Sequence, residues 1–361
     1  MSYQVMLAGK YQLDDLVESL SLEEALDEVA YRATIKLLVT PDLPQLAPGQ
    51  SIEIKGTPTD GTDIVTILSG VIWECESTSA NSKHLQLIAY DKMIYLAKSD
   101  DERLMTAGQT AAQRLKSYAK DWQIPLGNIV DTKIPLARDV KRTKSIWAMI
   151  QEDLKETADK GGGMFRPRMT PTGVDLLQLG SNKTVWDLDI LQEIGQRRTL
   201  EGAVTQVKVL GTQAPKAKTA PAEVDTSKMT MEEIGRKYGA TVSGTGTGKK
   251  AKMPELPSPV LAVIKGETSK LGTIQKVIQN DKIKSAADAQ TAGKKELGGI
   301  QETFTVSGPD NNLIRAGDKV KLGEMLLFVT SVKRDLGQPG HMDLQLAAES
   351  KVRRDYYRVT V

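Results

Sequence analysis

The chain has 361 residues, 40% of them apolar and 26% charged, enough to bury more than one core and, by length, to form two or three domains. Its single cysteine, Cys75, has no partner for an internal disulfide, which excludes a disulfide-stapled secreted scaffold. No apolar run reaches the ~18 residues of a membrane span, and the opening residues lack the basic-then-apolar order of a signal peptide. A formal net charge of +2 does not by itself mark a nucleic-acid binder.

The residue inventory narrows the chemistry further. Two histidines, His84 and His341, and one cysteine cannot supply a His/Cys zinc site. Each histidine precedes an alternating segment, which predicts a turn position and no catalytic role. The 46 acidic residues offer too many carboxylate pairs to single one out. No catalytic, cofactor-binding or metal-ligating residue is assigned.

In chain order, residues 1–30 are acidic, with seven Asp/Glu against Lys10 alone. Strand patterns follow. Ile35, Leu37 and Val39 alternate with Thr34 and Lys36, and Ile52 and Ile54 flank Glu53. Residues 64–72 read as a strand bent at Gly70. Leu85, Leu87 and Ala89 form the next alternating set. Turn-rich segments at 41–50 and 57–63 separate these runs. The pattern predicts a small, mostly antiparallel β-barrel over 1–98.

Residues 99–198 predict an inserted α+β module. Helical faces occupy 109–122 and 145–158, the second with Ser145 as N-cap and Gly161 as stop. A hairpin turns around Thr170-Pro171-Thr172-Gly173. Residues 199–211 return to alternation through Val204, Val207 and Val209, and are expected to rejoin the first barrel.

Residues 212–299 read as linker and helical segment: an Ala/Pro/Lys-rich stretch at 212–228, a helix ended by Gly239, a loop over 240–259, and helices at 269–280 and 285–297. The run GTGTGKK at 244–250 fails as a phosphate loop, because Ser243 and Lys250 stand where Gly and Ser/Thr are needed. Residues 211–300 carry 15 Lys/Arg against 9 Asp/Glu. This basic stretch is expected to meet the acidic first 30 residues across subunits.

Two distant segments resemble each other. ATIKLLVTPDLPQLAPGQSIEI at 33–54 matches ETFTVSGPDNNLIRAGDKVKL at 302–322, with Pro41 on Pro309 and Gly49 on Gly317, both displaced by 268. Leu68–Ile72 then matches Leu326–Val329. Leu85-Gln86-Leu87 matches Leu344-Gln345-Leu346, displaced by 259, so the first copy carries about nine extra residues near 55–63. The ordered series predicts a duplicated barrel, with 300–350 as the core of the second copy and 351–361 as a C-terminal tail.

With the opening YQLDDLVESLSLEEALDEVAYRATIKL, the return strand TQVKV and LIRAGDKVKL, this plan resembles the central baseplate hub of contractile phage tails and phage-tail-like bacteriocins. The likeness is to the XkdQ/YqbQ group, similar to the hub of T-even phages, and it spans nearly the whole chain. The resemblance implies an α+β fold with two related small antiparallel β-barrels, an inserted helix–hairpin module and a helical connection. It implies a non-enzymatic, cofactor-free homotrimer with pseudo-six-fold symmetry, joining a hexameric tail tube to a trimeric spike. Its expected partners are other copies of itself, the tail tube or tube-initiator protein, the central spike and other baseplate proteins, with the tape-measure protein as a further candidate in the lumen. It would be assembled in the bacterial cytoplasm and carried in the released phage or bacteriocin particle. Because only KVRRDYYRVTV follows the second barrel, no hydrolase domain is expected. Two other readings stay open: a nucleic-acid-binding protein with OB-like barrels, which would want more than 4% aromatics, and a tail-associated cell-wall hydrolase.

Overall fold

A computed structural model describes residues 3–61, 63–79, 83–189, 191–211, 258–280, 283, 285–337 and 339–358. The chain divides into two compact units, Met1–Arg198 with Glu302–Thr360, and Thr199–Gln301. The helix expected at 230–239, the GTGTGKK run and the stretch 212–228 lie outside the described residues.

The first unit opens with β1 (Tyr3–Leu7), β2 (Tyr11–Gln12), β3 (Val17–Ala25), β4 (Arg32–Leu38), β5 (Ser51–Gly56), β6 (Val65–Ser79) and β7 (Lys83–Asp91). Their alternating residues turn one face inward. Val5, Leu22, Ile35, Leu37, Ile52, Ile54, Ile72 and Leu87 close into one core. Gly70 lies within β6, paired with Ile52 and Asp91. A methyl there would meet the Tyr90 carbonyl oxygen at 2.1 Å, so the glycine serves close strand approach rather than a bend. The irregularities in β6 fall on either side of it: at Ile67, between the pairs Thr66–Lys55 and Leu68–Ile54, and at Trp73, between the pairs Ile72–Ala89 and Glu74–Ile88.

After α1 (Ile94–Lys98) come β8 (Asp100–Met105), α2 (Ala111–Asp121), β9 (Leu126–Ile129), β10 (Asp139–Ser145), α3 (Ile146–Asp159), β11 (Phe165–Thr170) and β12 (Gly173–Gln178). Both helices begin as their sequences require. The Thr110 hydroxyl accepts the Gln113 N–H while the Gln113 side chain returns to the Thr110 N–H, and Ser145 Oγ accepts from Ala148. α3 is followed by Gly161 at φ +87°. Leu115, Tyr118, Ile146, Met149, Ile150, Val174 and Leu176 form the core between the helices and the hairpin.

Beyond the hairpin the expected module boundary shifts. β13 (Trp186–Asp187) and β14 (Glu193–Thr199) leave the inserted module and join the second barrel. The second unit contains β15 (Gln206–Leu210), β16 (Val260–Lys265), α4 (Thr268–Leu271), β17 (Gln275–Gln279) and α5 (Ala286–Glu296). Here two expectations are corrected. β15 does not rejoin the first barrel; it is the central strand of its own three-stranded sheet, antiparallel to β16 and parallel to β17. The helix expected over 269–280 is one turn followed by strand β17, because Lys276 and Ile278 face one way and Val277 the other. Leu271, Ile274 and Ile278 fit either period. Val207, Val209, Ile278 and Ala289 make this unit's small core.

The chain then completes the first unit with β18 (Gln301–Pro309), β19 (Lys319–Leu322), β20 (Met325–Asp335), β21 (His341–Ala347) and α6 (Glu349–Tyr356). The expected tail is thus largely helical, and Val352 and Tyr357 pack with Phe328, Leu26 and Met164.

The fold is α+β, with two related antiparallel barrels, and the duplication is visible strand by strand. β18–β21 repeat β4–β7 in register. Ile35 pairs Leu87 as Val306 pairs Leu344. Ser51 pairs Val71 as Lys319 pairs Phe328, and the bulge at Trp73 recurs at Thr330. Gly49 and Gly317 share φ values of +91° and +92°. The Gly49 N–H donates to Ile72 O as Gly317 N–H donates to Val329 O, both at 2.8 Å. Even the side-chain brace repeats: the Ala47 N–H donates to Gln50 Oε1 at 3.0 Å, and the Arg315 N–H to Asp318 Oδ2 at 2.9 Å.

The expected register needs correction at the last strand. Leu87 corresponds to Leu344, displaced by 257, and Ala89 to Leu346. A slip of two residues keeps every side chain on its face, so hydrophobic alternation could not distinguish the two alignments. His84 and His341 then fall at equivalent places inside paired strands rather than in turns. Pro309 corresponds to Leu38, not to Pro41, and the first copy's excess between β5 and β6 is eleven residues, 268 less 257.

The two barrels form one continuous sheet, ordered β14-β18-β21-β20-β3-β4-β7-β6-β5-β1-β2, with β19 and β13 branching from β20. β3 is the seam. Its residues Ser21–Ala25 pair with Ser331–Asp335 of β20 on one side, and Leu20–Glu23 pair with Arg32–Ile35 of β4 on the other.

Gly49→Ala and Gly317→Ala are expected to destabilise the first unit by about 1–2 kcal/mol each, because a side chain disfavours that backbone region. Gly317→Ala should cost more, since its methyl would also press Leu179 at 3.0 Å. Thermal unfolding of both variants checks the order; equal effects would place the cost in the backbone alone.

Candidate functional site

β3 alternates, so Leu20, Leu22 and Glu24 all point inward. Glu24 therefore enters the interior, only 3% exposed, at the point where both barrels and the inserted module meet. Arg315, in the loop before β19, grips it with both arms: Nε to Oε2 at 2.6 Å and Nη2 to Oε1 at 2.9 Å. The Ala316 N–H donates to Oε2 at 3.2 Å. Arg166, from β11, stands 3.3 Å from Oε1 and donates to the Ala25 carbonyl at 2.8 Å. Its neighbour Arg168 donates to Asp318 Oδ1 and to the Ala316 carbonyl, both at 2.8 Å. The Arg315 guanidinium also lies 4.1 Å over the Tyr31 ring at the start of β4.

Burial alone would raise the Glu24 carboxyl; Arg315 and Arg166 overcome it and hold the group well below the usual carboxylate range. Burial lowers Arg166, and Glu24 offsets part of that. Around the cluster, Tyr3 Oη donates to Asp310 Oδ2 at 2.8 Å. Fully buried Arg334 lies 3.6 Å from the other Asp310 oxygen and donates to the Ile314 carbonyl. Asn312 ties the second barrel to the β5–β6 turn: its Oδ1 accepts the Thr59 N–H at 3.1 Å and its Nδ2 donates to Thr57 O at 2.9 Å.

Asp91, at the end of β7, is different. It accepts the backbone N–H groups of Tyr31 and Met93, each at 2.8 Å, but burial dominates and pushes its carboxyl up to about 7. A second buried ion cluster, Arg114–Asp153–Lys141, braces the inserted module, with contacts of 2.8 and 3.2 Å.

The charges of these clusters meet opposite charges within the chain, while Arg166 Nε and Nη1, Arg168 Nε, Arg114 Nε, Asp153 Oδ2 and Arg334 Nε are buried without a hydrogen-bond partner. His84 Nδ1 lies 2.9 Å from Glu18, and His341 Nε2 3.3 Å from Asp343; both are contacts with carboxylates at the sheet surface. Burial pushes the Cys75 thiol up, away from a reactive thiolate. No group of three or more His, Cys, Asp or Glu that could hold a metal occurs among the described residues. The acids of the first 30 residues, expected to seek partners across subunits, are used in part within the chain. Glu23 pairs with Arg32 and Lys333, Glu18 with Lys36, and Glu24 with its arginines.

Glu24, Arg166, Arg168 and Arg315 were not singled out from sequence. The available signal was local: Glu24 continues the Leu20–Leu22 alternation, and Arg166 and Arg168 flank a proline in a hydrophobic hairpin. Both patterns place charge where apolar residues belong.

Two like barrels sharing one sheet, clamped to an inserted α+β module, define the class: a two-barrel α+β fold. Residues 21–239 match the YQBQ-like family model, more than half of the chain, and the chain belongs to the YQBQ-like family. No curated protein sequence matches it. Among solved structures, a 43 kDa tail protein of prophage MuSo2 from Shewanella oneidensis aligns with a TM-score of 0.64 at 11% identity, covering 96% of this chain and 98% of that one. A tail protein from Neisseria meningitidis MC58 aligns at 0.61 and 16% identity over 99% of both. The E. coli c3393 protein, described as a type VI secretion component structurally similar to T4 tail proteins gp27 and gp5, aligns at 0.52 and 11% identity over 99% of this chain and 79% of that one. The chain is thus similar in fold to phage tail proteins, in line with the phage-tail resemblance of its sequence.

Glu24→Gln is expected to cost about 3–5 kcal/mol, because it leaves Arg315 and Arg166 buried without their counter-charge; denaturant unfolding measures it. The two carboxylates act oppositely with pH. The folded-state pKa of Glu24 is lowered, so its contribution is present above the unfolded carboxylate value and is lost as pH falls through the folded one. That of Asp91 is raised, so its contribution is full below about pH 4 and is lost as pH rises through about 7. Asp91→Asn should therefore flatten the decline in stability between pH 4 and 7, and an unchanged slope in thermal unfolding would contradict this assignment.

Proposed function

We propose that this chain is the structural hub of a contractile injection particle's baseplate: a homotrimer whose six barrels present pseudo-six-fold symmetry to a hexameric tail tube and three-fold symmetry to a trimeric spike. The observation that carries this reading is the in-register duplication, two barrels of one plan fused by β3 into a single sheet. Three such chains supply six like surfaces, which a single-barrel trimer cannot. The family membership and the tail-protein fold support it.

Tube or tube-initiator protein would dock on one face of the ring and the spike on the other, with further baseplate proteins around it and the tape-measure protein in the lumen. Assembly would take place in the bacterial cytoplasm, with the hub leaving in the phage or bacteriocin particle. The role is one of joining rather than catalysis: the buried charges lock modules together, and the histidines sit against carboxylates at the surface.

Light scattering behind size exclusion should return three chain masses, and a cryo-EM reconstruction of the particle should place three copies on the central axis between tube and spike. Six copies per ring, or a position off the axis, would sink the assignment. Cell-wall zymograms of the purified chain should stay blank; a cleared band would revive the hydrolase reading.

A further inference from the structure

The internal repeat assigns a counterpart to every strand near the seam, and two counterparts end at open edges. Within the chain, β3 lies against β4 on one side and accepts the second half of β20 on the other. The repeat carries β4 onto β18 and β20 onto β6. The strand beside β18, on the side away from β21, is β14. β14 therefore stands where β3 stands, and the second half of β6 stands where β20 meets β3. Among the described residues, β14 pairs only with β18, and Glu74–Ser79 of β6 pair only with β7. Both outer edges leave backbone N–H and C=O groups without a ladder partner.

The side chains carry the same message. Gly195 lies against Thr305, and Gln196 and Arg198 both reach Glu302. Thr305 corresponds to Thr34, whose β3 partner is Ser21, so Gly195 takes the place of Ser21, Arg197 that of Glu23 and Arg198 that of Glu24. Ile194 takes the place of Leu20. Leu20 is 6% exposed in the covered seam, whereas Ile194 is 56% exposed. On the opposite edge, the displacement of 257 puts Glu76 where Lys333 stands and Cys75 where Val332 stands. Lys333 faces Glu23 across the internal seam, with their charges 3.5 Å apart. The open edges hold the same pair with signs exchanged, Glu76 on β6 and Arg197 on β14.

We propose that β14 of one copy pairs antiparallel with the Glu74–Ser79 half of β6 in a second copy of this chain, placing Arg197 opposite Glu76 and Arg198 opposite Cys75. This rests on the trimeric hub reading and names the surfaces that would close its ring. The contact is head-to-tail, so each copy gives one edge and receives the other. The exchanged signs also select the order of barrels. A β6 edge facing a β3-like acidic strand, or a β20-like basic edge facing β14, would set like charges opposite each other.

Arg198→Cys tests the pairing with the native Cys75 as the only other thiol. In the full chain under mild oxidation, a non-reducing gel is expected to show linked dimers and a limiting band of three chains, absent when Cys75 is also Ser. Glu76→Arg and Arg197→Glu should each weaken trimerisation by about tenfold or more, and the double exchange should restore it. A chain that is trimeric by mass yet gives no linked species with Arg198→Cys overturns the pairing and leaves the hub reading standing. A chain monomeric by mass with no linked species overturns both.

Discussion

The structure depends on one strand and one carboxylate. β3 hydrogen-bonds to a strand of each barrel, so neither barrel has an edge at the seam, and Glu24 projects from that strand into a place where all three modules of the first unit approach one another. A buried carboxylate there is costly unless its charge is met. Arg315 meets it from the second barrel and Arg166 from the inserted hairpin, while Tyr31 of the first barrel lies under the Arg315 guanidinium. A group that projects from one module and takes its partners from two others is satisfied only when all three are docked. The cluster therefore makes relative placement a condition of burial, whereas apolar contacts at the same seam would tolerate sliding.

That requirement suits an object built from repeats. Two barrels with the same register could pair through several edges with similar energy, and a freely exchanging seam would lead to mixed or open-ended assemblies. The ion cluster breaks the symmetry once, inside the chain, and leaves a defined pair of outer edges. The inserted module contributes to this by occupying only the first copy, holding the seam strand through Arg166 and sending Arg168 across to the second copy. The C-terminal helix reinforces the same join: Val352 and Tyr357 pack with Phe328 of the second barrel and Met164 of the inserted module, and Tyr357 Oη donates to Phe165 O at 2.9 Å.

The second unit follows a different logic. Its three strands come from segments far apart in sequence, with β15 in the middle and α5 covering one face. A parallel pairing such as β15 with β17 needs a crossover, and the intervening β16 and α4 provide the length. The unit thus interrupts the second barrel in the chain, between β14 and β18, without contributing a strand to it.

By itself the sequence determined the local elements and their repetition. Capping at Thr110 and Ser145, the turn before Gly173 and the glycines at 49 and 317 are encoded within a few residues, and so is the alternation that defines β4–β7 and β18–β21. A duplicated pattern of that kind is legible because the same local forces act twice. Tertiary structure decided what depends on partners distant in the chain. An acidic segment with only Leu20 and Leu22 to mark it became the seam strand, since β20 and β4 both offered it an edge. Residues 206–210 were drawn to strands β16 and β17 rather than to the first barrel, and the last strand of the repeat settled two residues from its hydrophobic match, because alternation is blind to an even slip. The Glu24 site was hidden for the same reason: its four charged members lie at positions 24, 166, 168 and 315, and nothing local in any of those segments specifies that their charges must meet.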